Sequence, residues 1–269
     1  MVHGHSRYCK AVERFVLSTI TTYQKINQDA YLLFLMGVSF FGLFLVGILT
    51  FNPPVAESLP WRKPVIGSVF GSICVLGSLA ALFPKNCLGV FHLKKEEVLV
   101  KKYRSSQESD MTSYRVRFAV RGHHPDCGNF SGHVFRVGNR TFCTSCTGLL
   151  LGALISLVAT FLYFFGAWQL SQKSLPTVYF GILGISLGLL QFPLFKNRKS
   201  PLRFLLNSFF VLGAFLILVE IDTLVQSAVM DLFLILLIVF WIFTRISLSQ
   251  WDHKRICYAC SVETCEFFI

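Results

Sequence analysis

The sequence predicts an α-helical integral membrane bundle of six transmembrane helices, with a small zinc-ribbon-like β insertion on its cytoplasmic side. Three observations predict it. Six apolar runs, roughly 31–50, 65–83, 147–168, 177–195, 204–224 and 230–247, each approach the ~20 residues that span a hydrocarbon core. Hydrophobic residues make up 54% of the chain and charged residues only 14%, well below the ~25% of soluble proteins. Basic residues are then split between the connecting segments by an alternating rule.

That rule sets the orientation. Residues 1–30, 84–146, 196–203 and 245–269 carry 4, 11, 4 and 3 Lys or Arg, whereas 51–64, 169–176 and 225–229 carry 2, 1 and 0. Positive charge is retained on the cytoplasmic face, so both termini are expected there, in the cell membrane. The formal charge of +11 is therefore a topology signal, and no nucleic-acid partner is expected. The lipid bilayer is the expected partner, together with other membrane subunits.

Taken in order, residues 1–30 form a cytoplasmic segment in which Tyr8, Val12, Phe15, Val16, Ile20, Tyr23 and Ile26 make one apolar stripe. An amphipathic helix lying on the inner leaflet, or packed on the cytoplasmic domain, explains it. Residues 31–83 hold the first two spans, the first expected to be an uncleaved anchor because no small-residue cleavage site follows it. The proline-rich link FNPPVAESLPWRKP between them reads as a short, stiff interfacial loop. Gly67-x₃-Gly71 in the second span and Gly184-x₃-Gly188 in the fourth permit close helix contact.

Residues 84–146 form the cytoplasmic insertion. EEVLVKKY (96–103) and SYRVRFAVRG (113–122) read as strands, the second alternating Tyr114, Val116, Phe118 and Val120 with arginines. Val137-Gly138-Asn139-Arg140 offers a two-residue hairpin turn. The insertion ends in HHPDCGNFSGHVFRVGNRTFCTSCTG, which gathers His123, His124, Cys127, His133, Cys143 and Cys146 within 24 residues. Cys143-Thr-Ser-Cys146 has the two-residue gap that lets both sulfurs reach one ion, and zinc takes four such ligands. Residues 147–247 carry the third to sixth spans. The tail, 248–269, repeats the theme with Cys257-Tyr-Ala-Cys260, Cys265 and His253.

The orientation decides the cysteine chemistry, because disulfides are rare in a reducing compartment and clustered cysteines there more often bind metal. Cys143, Cys146 and Cys127 with one of His123, His124 or His133 form the candidate site. Cys257, Cys260 and Cys265 complete it, supply a second, or lie near it, and the tail is expected to dock against 123–148. The cofactor expected is zinc, with iron or an Fe–S cluster as the alternative.

FCTSCTGLLLGALI (142–155) resembles the signature of an uncharacterised prokaryotic membrane family, domain of unknown function 2085. Its members carry Cys-Ala-Arg-Cys-Thr-Gly leading into a helix; Cys143, Cys146, Thr147 and Gly148 match, while Thr144 and Ser145 replace the middle pair. His124-Pro125-Asp126-Cys127 loosely resembles the upstream stretch, and LRFLLNSFFVLGAF (202–215) is similar to the family's later Leu-Arg-rich helix. The resemblance implies a membrane protein with a Cys site and implies no reaction.

Three functional readings follow. The first is a structural, scaffold or accessory subunit with a zinc-stabilised cap. The second is a redox protein using an iron centre or cycling CxxC dithiols. The third is a small-solute transporter, resting on Gln191, Asn207, Glu220 and Asp222 inside the spans. No catalytic residue is assigned, since HExxH, GxSxG, P-loop and Rossmann fingerprints are absent from the sequence.

Overall fold

A computed structural model describes residues 4–51, 59–82, 132–137, 140–166, 175–194 and 200–258. Six helices and one hairpin account for nearly all of them: α1 (Gly4–Phe51), α2 (Arg62–Leu82), β1 (Val134–Val137), β2 (Arg140–Cys143), α3 (Thr144–Phe164), α4 (Leu175–Leu194), α5 (Ser200–Val225) and α6 (Ala228–Tyr258). All six helices contain a stretch long and apolar enough to cross a membrane, in agreement with the six runs of the sequence.

Helix starts follow local chemistry. Pro64, Pro176 and Pro201 each fall in the first turn of a helix, where a missing N–H costs nothing. Two boundaries differ from expectation. The amphipathic N-terminal segment is helical, but α1 runs unbroken from Gly4 through the first span for 48 residues, about 72 Å at ~1.5 Å per residue. The reason is that no Gly or Pro occurs between His5 and Met36. Likewise α6 continues past 247 to Tyr258, so the first half of the tail is helix and Cys257 lies in its last turn.

Helix α5 is the central one. Of its most apolar window 67% is buried, against 28–44% for the other five helices. It packs most extensively on α4 and α3, and small residues set both approaches. A β-carbon built on Gly184 would lie 2.6 Å from the Phe209 carbonyl oxygen, and one on Gly152 would lie 2.7 Å from that of Ser208. The glycine pairs read from the sequence are contact positions: Gly67 meets Phe164 of α3, and Gly188 meets the Phe210 ring. Helix α1 instead holds α6 through polar bonds, Ser39 Oγ to Thr244 Oγ1 (3.0 Å) and Trp241 Nε1 to the Ser39 carbonyl (3.2 Å). Phe34, Phe41 and Phe44 face outward from α1, as a lipid-facing surface requires.

The hairpin is antiparallel with Val137 opposite Arg140, so its connection is the two-residue Gly138-Asn139 expected from the sequence. The strands expected at 96–103 and 113–122 lie outside the described residues.

Candidate functional site

The hairpin brings the chain to α3 in a fixed register. Val134 is opposite Cys143, and the Phe135 and Phe142 rings stack at 5.6 Å. Cys143 ends β2 and serves as the N-cap residue of α3, buried at 3% exposure. Cys146 is half-buried in the first turn, so the two cysteines stand three apart on one side of a helix start. The two residues after the knuckle have structural work. Thr147 Oγ1 donates to the Cys143 carbonyl (2.8 Å), and Gly148 lies against the Phe204 backbone of α5, where a β-carbon has no room. The Gly148 carbonyl accepts from Ser208 Oγ at 2.8 Å. The two stretches that carry the family resemblance, 142–155 and 202–215, therefore touch each other.

The hairpin base is tied to α5 and α6 by a buried ionic group. Ser200 Oγ donates to the Val134 carbonyl at 3.0 Å. Arg203 Nη1 lies 2.9 Å from His133 Nδ1 and 3.5 Å from Asp252 Oδ2. A guanidinium has no acceptor, so Nδ1 accepts, and the neutral imidazole carries its proton on Nε2, which faces Asp252 at 3.9 Å. Arg255 Nη2 bonds the other Asp252 oxygen at 2.6 Å, and the His133 and His253 rings lie 5.6 Å apart. Trp251 Nε1 donates to Asp29 Oδ1 (3.0 Å), which brings α1 to the same place.

Deeper in, a polar chain crosses three helices. Asn207 Oδ1 accepts from Gln191 Nε2 (3.1 Å) and from both Nε (3.0 Å) and Nη2 of Arg245. All three residues are buried, and Asn207 Nδ2 donates to the Arg203 carbonyl at 2.6 Å. Gln191 and Asn207, singled out in the sequence, are thus partners of each other. Arg203 and Arg245 were legible there only as orientation charges.

Of the eight candidate metal ligands, His133, Cys143 and Cys146 gather at this end. Cys257 follows on the helix that carries Asp252 and His253, with only its backbone described. His124, Cys127, Cys260 and Cys265 lie outside the described residues, as does His123. Among the described residues no three His, Cys, Asp or Glu side chains come together as a metal-binding group. His133, read from sequence as a possible ligand, is bonded instead within the Arg203–Asp252 group.

A second ionic group closes the opposite end. Arg62 Nη1 lies 2.6 Å from Asp222 Oδ1 and 2.6 Å from Asp231 Oδ2. Tyr163 Oη donates to Asp222 Oδ2 at 2.6 Å. The carboxylate that shares Arg62 with Asp222 is Asp231 of α6. Arg62, Tyr163 and Asp231 went unread in the sequence. The available signal was Asp231, a carboxylate in the first turn of an otherwise apolar span.

What fold and sites define together is a polytopic helical bundle with ionic clusters at both ends. No family model, curated protein or solved structure matches the chain.

Proposed function

We propose that the chain is a structural or accessory subunit of a membrane complex, a six-helix bundle whose cytoplasmic cap is closed by a zinc ion. One observation carries this reading: β2 delivers Cys143 to the start of α3 with Cys146 on the same side, while α6 reaches back to the hairpin base at His133. A knuckle anchored in a helix and flanked by three converging elements is a rigid half-site. Cys127 and His124 are the remaining ligands. His124 is preferred over His133 because the Nδ1 of His133 is already engaged by Arg203, with Asp252 beside its Nε2. Zinc held in this way would bind residues 123–131 to the helical bundle, a closed site that contributes folding energy.

The cell membrane, with both termini cytoplasmic, keeps these thiols reduced and the basic residues of 84–146 inside. Kinship with domain of unknown function 2085 rests on the resemblance of 142–155 and 202–215 to that family, two stretches that meet where Ser208 Oγ donates to the Gly148 carbonyl. Metal analysis of the protein purified in detergent tests the reading. Zinc is expected in the wild-type chain and lost from Cys146→Ser with the helices still inserted. Zinc retained in that variant removes the site, and visible absorbance from iron transfers the reading to redox chemistry. Small-solute transport is a second reading, supported by the burial of Gln191, Asn207, Glu220 and Asp222 inside the bundle.

A further inference from the structure

The group at the end away from the hairpin joins α2, α3, α5 and α6 through side chains closed off from water. Asp222 and Asp231 are both fully buried, and the Arg62 side chain is 6% exposed. A single guanidinium nitrogen contacts a carboxylate oxygen of each at 2.6 Å, so those two oxygens lie within twice that distance of each other. Each carboxylate has one hydrogen-bonded oxygen: Asp222 Oδ2 accepts from the Tyr163 hydroxyl, and Asp231 Oδ2 accepts from Arg62 Nη1. On each of the two carboxylates the Oδ1 oxygen is buried and receives no hydrogen bond among the described residues.

Charge counting makes those two oxygens informative. Arg62 balances one carboxylate. Among the described residues, Tyr163 donates to Asp222 as a neutral phenol and Lys63 is exposed with its ammonium 4.8 Å above the Tyr163 ring, so neither balances the second. Two carboxylates sharing one buried site cannot both ionise without a large penalty, and the least costly relief is a proton on one of them.

We propose that Asp222 and Asp231 form a proton-binding site that holds one proton between them, shared by the pair beside Arg62 and Tyr163. With one donor on each carboxylate and an unpartnered Oδ1 on both, a shared proton relieves the repulsion between them. The site has an exit. A cleft of about 380 Å³ is lined by Arg62, Lys63, Asp222, Thr223 and Gln226, and exposed Lys63 and Gln226 stand at its rim. A proton leaves the pair by way of Asp222, the carboxyl that borders this cleft. The pair titrates as a unit, so the proton belongs to both residues.

Infrared spectroscopy of the full chain in lipid nanodiscs tests this, since a carboxylic acid shows a C=O stretch, sensitive to D₂O, that a carboxylate lacks. The wild-type chain is expected to show a buried acid band at neutral pH. Asp231→Asn and Asp222→Asn each leave one carboxylate facing one guanidinium, so the remaining acid ionises. The band is therefore lost in both near-isosteric variants and kept in Glu220→Gln. Absence of the band from the wild-type chain overturns the proposal without any variant. Its survival in either Asn variant, or its loss in Glu220→Gln alone, assigns the proton to a solitary acid and overturns the shared site.

Discussion

The two ends of the bundle hold ionic clusters of opposite balance. At the hairpin end Asp252 is surrounded by Arg203, Arg255 and His133, with Arg245 one step deeper on Asn207. At the far end Asp222 and Asp231 share one Arg62 nitrogen, with a tyrosine hydroxyl besides. A donor-rich pocket suits anionic partners such as the thiolates that a zinc site needs, and Cys143 is close enough to Arg203 to interact with it electrostatically. An acceptor-rich pocket suits a proton. One helix, α5, contributes Arg203 and Asn207 to the first cluster and Asp222 to the second. Buried charge in a membrane bundle is tolerated where elements converge and supply partners, and the sign of the surplus then decides what each end can bind.

The contrast is most directly broken at the far end. Arg62→Ala removes the cation that the buried carboxylates of Asp222 and Asp231 share. Loss of one partner from a buried ion pair costs about 3–5 kcal/mol, and thermal unfolding in detergent should register it. A melting point within error of wild type would show that the cluster contributes nothing to the bundle.

Asp252→Ala is expected to cost less, about 1.5–3 kcal/mol, because Arg255 is a third exposed and recovers water. Its effect should be local. Protease sensitivity and hydrogen exchange are expected to rise in 132–146 and 248–258 while α2 and the start of α6 keep their protection. Equal loosening at both ends would mean that the two clusters are not independent.

Ser200→Ala sharpens the picture with the smallest change. It deletes the hydroxyl that donates to the Val134 carbonyl, for about 0.5–1.5 kcal/mol, and should raise exchange in β1 alone. Unchanged exchange in β1 would assign hairpin docking to Arg203 and His133.

Much of the architecture could be read locally. Six spans follow from run length and hydropathy, and the Val137–Arg140 turn follows from Gly-Asn. The continuity of α1 was legible in a stretch without Gly or Pro, although its amphipathic stripe had suggested a separate element. The end of α6 followed the same logic: hydropathy fades at 247, yet 228–258 contains no helix breaker, so the backbone continues to Tyr258. Hydropathy reports where lipid stops, and backbone propensity reports where a helix stops.

The sequence by itself determined the membrane class, the number of spans, the hairpin turn and the small-residue contacts, all of which depend on neighbours in the chain. Only the tertiary structure decided which polar residues meet. Arg62 and Asp231 are 169 residues apart, His133 and Arg203 are 70 apart, and Tyr163 and Asp222 are 59 apart. Their pairing depends on how each helix is rotated and shifted against α5, which is set by where a glycine such as Gly148 or Gly184 lets two backbones approach. Composition carries no record of that rotation, so a buried arginine beside two aspartates reads, in the sequence, as an interfacial charge and two scattered acids.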